Sequence, residues 1–202
     1  YDALGRLAGI TNGLGSATTF GYDANDNLVS VSTPLRRATT FTFSGRRALL
    51  SQTDPAGAVR QYVYDGNNNV IESIDPLVAK VKYEYDPEDR LIAVTDALGS
   101  RSFRTVDRTG QATSVTNALG QTTRFTYDTL GRISRITDAL GQTVAQYTYD
   151  LRDRPLTETD ALGRSRSYAW DALSRLTRLT DELGRATQYS YDSRSRLTSV
   201  TT

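Results

Sequence analysis

Apolar and polar positions alternate in short runs that return along the whole chain. Thr18, Phe20 and Tyr22 share one parity, as do Thr39, Phe41 and Phe43, then Thr123, Phe125 and Tyr127, then Thr187, Tyr189 and Tyr191. Residues two apart share a face of an extended strand, so these runs predict strands with aromatic rings on one side and residues such as Arg124 and Thr126 on the other. Their β-branched and aromatic content favours strand over helix. A second, shorter run such as Arg132 to Thr137 completes each unit. There Ile133 and Ile136 stand three apart, a spacing that a flat strand would split between faces, so a twist, a bulge or an early strand end must resolve it.

The pattern is periodic. An aromatic position or its substitute falls at Tyr1, Tyr22, Phe43, Tyr64, Tyr85, Val106, Tyr127, Tyr149, Trp170 and Tyr191, with a spacing of 21 residues except for 22 between Tyr127 and Tyr149. The extra residue lies within Gln142 to Asp150 and is most simply a β-bulge. Two turn elements punctuate each unit. One is DALG at Asp96, Asp138 and Asp160, with NALG at Asn117 and DELG at Asp181. Its Asp or Asn accepts an amide hydrogen two residues on, and its Gly tolerates positive φ. The other follows the aromatic position, with Gly5, Gly110 and Gly131 replaced elsewhere by Asp26, Arg47, Asn68, Asp89, Asp153, Ser174 and Ser195. Arg47 suits left-handed backbone poorly, so the unit containing Gly45 is expected to turn differently.

These elements predict an all-β fold in which residues 1–202 form a single array of about ten hairpin units. One unit cannot bury enough to fold alone, so lateral stacking must stabilise the array, and a sheet that long should coil into a ribbon. Phe41 to Asp54, Tyr64 to Lys80 and Arg101 to Asp107 diverge most from the repeat, with Phe103 out of register. Because Tyr1 opens in mid-pattern, the chain is expected to be a piece of a larger assembly, with no signal peptide and no membrane span.

Composition narrows the chemistry. Hydrophobic residues are 38% of the chain and aromatics include 12 Tyr, so the core should be thin and partly aromatic. Net charge is +1 with Arg and Asp interleaved, which gives no basic stripe for nucleic acid. The chain has no Cys and no His, which removes thiolate chemistry, the commonest general base and the commonest metal ligand. Asp23, Asp65, Asp86, Asp128, Asp150, Asp171 and Asp192 each follow the aromatic position. Their regular recurrence fits turn capping better than the unique cleft that paired catalytic carboxylates need. Arg90, Arg132, Arg154, Arg175 and Arg196 recur five residues after the aromatic position and are placed to stack on rings or pair with aspartates. Asp23-x-Asn25-x-Asn27 and Asp65-x-Asn67-x-Asn69 share the start of a calcium loop, but Leu28 and Val70 occupy its glycine position. No metal, cofactor or catalytic residue is therefore expected. Tyr22, Tyr64, Tyr85, Tyr127, Tyr149, Trp170 and Tyr191 are assigned to a structural aromatic ladder.

YDALGRL at Tyr1, YDTLGRI at Tyr127 and WDALSRL at Trp170, coupled to TDALG at Thr95, Thr137 and Thr159, resemble the tyrosine-aspartate repeats of the Rhs family. Such repeats also occur in Tc toxin shell subunits and in teneurins. The resemblance implies a hairpin ribbon spiralling into a hollow cocoon or barrel-like shell that encloses a toxin or effector polypeptide until delivery. The implied partners are the remainder of the shell, the enclosed polypeptide, and secretion-apparatus or plug domains; the implied location is secreted, delivered by a bacterial secretion system, or cell-surface. The family's self-cleavage region matches nothing here, so this segment is expected to supply wall and no enzyme activity. The alternative is a surface adhesion or carbohydrate-binding array. Deep burial of Tyr62, Tyr64, Tyr147 and Tyr149 would favour wall, and an exposed ring platform would favour binding.

Overall fold

The computed structural model describes residues 1–35 and 37–202. Its described residues form nineteen β-strands and no helix, hence none long and apolar enough to cross a membrane. The chain divides into two compact units, Tyr1–Arg101 and Ser102–Thr202. The first holds β1 (Gly9–Thr11), β2 (Ala17–Tyr22), β3 (Leu28–Ser32), β4 (Ala38–Phe43), β5 (Leu49–Thr53), β6 (Val59–Tyr64), β7 (Val70–Ile74), β8 (Lys80–Tyr85) and β9 (Leu91–Thr95). Each strand pairs antiparallel with the next, from β1–β2 to β8–β9.

The second unit is built in the same way. β10 (Arg101–Val106) begins on the last residue of the first unit and is followed by β11 (Ala112–Thr116), β12 (Thr122–Tyr127), β13 (Ile133–Thr137), β14 (Thr143–Tyr149), β15 (Pro155–Asp160), β16 (Ser165–Trp170), β17 (Leu176–Thr180), β18 (Ala186–Tyr191) and β19 (Leu197–Thr201). These also pair in sequence, from β10–β11 to β18–β19. Short loops joining antiparallel neighbours are what two Asp-headed turns per 21 residues require.

The isoleucine spacing is resolved by a bulge. Phe125 pairs with Ile136 and Tyr127 with Ile133, the register shifting between Thr126 and Tyr127. Ser134 is the extra residue, and its hydroxyl donates to the Thr126 carbonyl at 3.1 Å. Both isoleucines therefore lie on the face of the aromatic rings. The same shift recurs before Tyr22, Phe43, Tyr64, Tyr85, Val106, Tyr149, Trp170 and Tyr191. The 22-residue interval is accommodated as expected: Thr137 pairs with Thr143 and Ile136 with Ala145, which leaves Val144 unpaired as a second bulge.

Turns on both edges follow one design. In Asp138–Gln142 the Gly141 amide donates to Asp138 O at 3.1 Å, and Asp138 N donates to Gln142 O at 2.9 Å. The Asp138 carboxylate accepts from the amides of Leu140 and Gln142 at 2.9 and 2.8 Å. The fourth residue sits at positive φ, which is why Gly fills it at Gly99, Gly141 and Gly184. The unit at Gly45 departs from expectation. Ser44 takes over the capping role, with Arg46 N and Ala48 N donating to its hydroxyl at 3.2 and 3.1 Å, and Arg47 itself adopts φ 62°. Hydrogen bonds around the turn hold that conformation, so this unit turns like its neighbours. Val78 adopts φ 67° in the same way, an unusual conformation for a β-branched residue.

The core is as thin as composition suggests. Among the described residues only Ala48 and Ala93 are buried apolar groups, Thr116 is buried and polar, and no large side chain is fully buried. One face carries the half-buried rings. The other is polar, with hydroxyl pairs such as Thr42 with Ser51 and Thr148 with Thr157, each at 2.6 Å. Phe103 pairs with Thr116, which places it on this polar face and Arg104 where its neighbours carry a ring.

Candidate functional site

The recurrent chemistry gathers where each aromatic strand meets its turn. Every predicted ring ends its strand: Tyr22, Tyr64, Tyr85, Tyr127, Tyr149, Trp170 and Tyr191 close β2, β6, β8, β12, β14, β16 and β18. Their polar tips all find a backbone carbonyl in the preceding hairpin. Tyr22 donates to Leu7 O at 3.0 Å, Tyr64 to Leu49 O at 2.8 Å, Tyr85 to Val70 O at 3.0 Å and Tyr127 to Ala112 O at 2.7 Å. Tyr149 donates to Ile133 O at 3.0 Å and Tyr191 to Leu176 O at 2.9 Å. Trp170 uses its indole Nε1 for the same bond, to Pro155 O at 2.8 Å. Burial raises the phenol pKa of Tyr64, Tyr85 and Tyr149, so these rings stay neutral donors.

The aspartate after each ring uses its two oxygens differently. Asp128 Oδ1 accepts from the amides of Leu130 and Arg132 at 2.9 and 3.0 Å, while Oδ2 accepts from Arg132 Nε at 2.8 Å. Asp86 with Arg90, Asp150 with Arg154, Asp171 with Arg175 and Asp192 with Arg196 repeat the pair at 2.6, 2.6, 2.7 and 2.7 Å. At Asp23 and Asp65 the partner is an amide, from Asn27 at 2.8 Å and Asn69 at 3.1 Å. The calcium-like spacing is therefore spent on turn closure.

Each carboxylate in this series is held below the ordinary aspartate range. The side-chain hydrogen bond is the leading cause at Asp128 and Asp150, from Arg132 and Arg154, and at Asp23, from Asn27. Backbone amides lead at Asp65, Asp171 and Asp192, from Asn69, Arg175 and Arg196. At Asp86 burial is the largest influence and opposes ionisation, but the bonds from Arg90 together outweigh it. All shifts run in one direction, whereas a proton-transfer pair needs two carboxyl groups pushed apart.

The arginines also reach forward into the next hairpin. Arg132 Nη1 donates to Asp150 O at 2.6 Å and to Asp153 Oδ1 at 2.9 Å, and its guanidinium carbon sits 4.6 Å from the Tyr149 ring centre. Arg154 reaches Asp171 O at 2.8 Å and lies 5.7 Å from the Trp170 ring; Arg175 reaches Asp192 O at 3.1 Å and lies 4.8 Å from Tyr191. One guanidinium thus joins its own turn, the next turn's backbone and the next ring, combining charge-assisted bonds with a cation–π contact. Sequence spacing points to a choice between ring and aspartate. The geometry brings both together and adds the forward carbonyl bond. Further cross-turn bonds come from Arg46 to Gly66 O, Gln111 to Gly131 O and Arg152 to Ala172 O, each at 2.6 Å. The one sequence hint of the carbonyl bond is Trp170, which keeps an N–H donor where its neighbours keep an O–H.

A shallow trough of about 750 Å³ on the ring face of the first unit is lined by Arg60, Tyr62, Ser73, Tyr83, Tyr85 and Leu98 among others. Tyr62, Tyr64, Tyr147 and Tyr149 are all half-buried, between the two extremes that would separate wall from binding platform. No group of three or more His, Cys, Asp or Glu that could hold a metal ion occurs among the described residues.

A family model described as RHS repeat matches residues 1–38, 44–77, 64–101, 106–143, 127–165, 149–182 and 170–202. Among solved structures, the crystal structure of TcdB2-TccC3-TEV superposes with a TM-score of 0.65 at 16% identity, covering 91% of this chain and 11% of that one. The crystal structure of TcdB2-TccC3 without its hypervariable C-terminal region gives 0.50 at 14% identity, covering 95% and 13%. The chain therefore spans roughly a tenth of the length of these structures, and the likeness is one of fold. No curated protein matches the sequence.

Proposed function

Because the chain belongs to the RHS-repeat family, we propose that it is wall: one stretch of a hollow β-shell that encloses a toxin or effector polypeptide before delivery. Residues 1–202 act in this reading as a single repeat array within a larger shell. Its partners are the rest of that shell and the enclosed chain, with secretion-apparatus or plug domains beyond them, and its place is outside the producing cell. The role is structural and not enzymatic. The ring, aspartate and arginine of each unit serve as its fasteners.

The observation that carries this reading is the lacing of hairpin to hairpin. The polar tips of the seven ladder rings bond the preceding hairpin, and Arg6, Arg132, Arg154 and Arg175 bond the following one, so opening the sheet locally must break side-chain and backbone bonds together. That suits a barrier better than a recognition surface. A sugar-binding platform needs free ring faces. Here Arg6, Arg132, Arg154 and Arg175 lie over Tyr22, Tyr149, Trp170 and Tyr191.

The test is protease protection of the intact protein that carries these repeats. Sequence unrelated to the repeats should resist an added protease while the shell is native and be cut once it is unfolded. Equal cutting in both states would remove the enclosure reading, and saturable binding of an oligosaccharide to the intact repeats would replace it with adhesion.

A further inference from the structure

The turns 12–16 and 117–121 begin with asparagine where those at Asp96, Asp138, Asp160 and Asp181 begin with aspartate. Both close alike. Asn12 Oδ1 accepts from the amides of Leu14 and Ser16 at 3.0 and 2.9 Å, and Asn117 Oδ1 from those of Leu119 and Gln121, each at 3.0 Å. They differ in two respects. Asn117 Nδ2 donates to Gln121 Oε1 at 2.8 Å, whereas Asn12 Nδ2 has no partner among the described residues. The residue after Asn117 is Ala118, and alanine also follows Asp96, Asp138 and Asp160, whereas the residue after Asn12 is Gly13. The fold does not require that glycine. Gly13 is not among the residues at positive φ, and a Cβ there would meet no heavy atom within 4 Å.

What glycine changes is the reach of its own amide nitrogen, which is exposed and donates to no acceptor among the described residues. We propose that Asn12 is a site of spontaneous deamidation, with water as the only co-reactant. Gly13 N attacks Asn12 Cγ, the new N–C bond closes an imide ring, and Nδ2 leaves as ammonia with the proton that Gly13 N gives up. Water then opens the imide. Breaking the Cγ–N bond leaves aspartate at position 12, and breaking the bond from Gly13 N to the main-chain carbonyl carbon leaves an isoaspartyl link. Gly13 carries no Cβ to crowd the attack, and nothing ties the departing amide, so Asn12 reacts where Asn117 does not. The bonds from Leu14 N and Ser16 N hold the Asn12 side chain forward over the turn, so attack takes place in the fraction of molecules whose turn has opened. The two products differ in fit. Aspartate closes the same turn elsewhere: Asp96 accepts from Leu98 N and Ser100 N at 2.9 and 2.8 Å, with serine in the closing position as at Ser16. The isoaspartyl link lengthens the main chain by one carbon and removes the peptide carbonyl that accepts from Gly15 N at 3.0 Å. Either product lowers the formal net charge from +1 to zero. The site is independent of whether the repeats enclose cargo.

The test is to incubate the intact protein under native conditions at mildly alkaline pH and to follow Asn12 and Asn117 by peptide mass spectrometry. Asn12 should convert to the acid at least tenfold faster than Asn117, with ammonia released mole for mole. The variant Gly13→Ala should keep the β-sheet circular dichroism and thermal midpoint of the parent and convert at least tenfold more slowly. Asn12 converting no faster than Asn117 overturns the proposal, as does a Gly13→Ala variant that converts as fast as the parent. Conversion of Asn12 in denatured protein alone overturns it too, because the closed turn then protects the site. If Gly13→Ala fails to fold, the ratio of Asn12 to Asn117 in the parent decides.

Discussion

At the scale of residues, the fold is held by polar side chains that each serve more than one hairpin. Tyr127 covers its neighbours with its ring while its hydroxyl satisfies Ala112 O at 2.7 Å. Tyr127→Phe keeps the ring and loses that bond, so it should cost about 1 kcal/mol in urea unfolding; an unchanged midpoint would show the carbonyl to be satisfied equally well by solvent. The aspartates give a pH dependence of definite sign. Asp128, Asp150 and Asp171 titrate lower in the folded chain than when unfolded, so the unfolded state takes up protons first as pH falls. Their stabilisation is complete above the unfolded value of about 3.9 and is lost as pH drops through the folded values. The thermal midpoint should hold from neutral pH to about 5 and decline below it, and the triple variant Asp128→Asn, Asp150→Asn, Asp171→Asn should flatten that decline. An equally steep decline in the variant would assign it to other groups. Sequence showed which residues recur, and it showed the ring face, because parity alone decides which side of a strand a residue takes. It could not show that Arg132 reaches Asp150 O, because that distance depends on the lateral register of two hairpins.

At the scale of elements, bulges reconcile an irregular sequence with a regular sheet. Ile133 and Ile136 have the wrong spacing for a flat strand, and Ser134 supplies the extra residue that returns both to the ring face. Val144 does the same for the 22-residue interval and leaves the pairs on either side intact. Deleting Val144 restores the period and removes an unpaired residue, so the variant should melt no lower than the parent. A lower midpoint would mean that the second bulge is needed to aim β14. The interval was legible because both flanks keep the repeat wording. The Gly45 turn was misleading for a related reason: glycine marks a left-handed position only where no other residue is held there. Ser44 and the turn's hydrogen bonds hold Arg47 at φ 62° instead.

At the scale of the whole molecule, burial contributes unusually little, with no large side chain fully enclosed among the described residues. Stability must come from many similar contacts between neighbouring hairpins, as in other repeat proteins, where it sums over units and their interfaces. The RHS-repeat family was visible in the wording of the turns. The exposure of Leu140 and Leu162, the third residues of their DALG turns, was not visible there, since nothing in the pattern says that these leucines are left outside.

The claim beneath all of this is lateral succession: within each unit, each hairpin lies beside the next in a fixed order. The chain contains no Cys, so spin labels attached at introduced cysteines are site-specific. Thr126, Ala169 and Ser190 are the penultimate residues of β12, β16 and β18, on the polar face. Labels at Thr126 with Ala169, and at Thr126 with Ser190, lie two and three hairpins apart. Pulsed electron paramagnetic resonance should give narrow distributions near about 19 and 29 Å, the second longer by about one hairpin width. Broad distributions, or a second distance no longer than the first, would contradict the account.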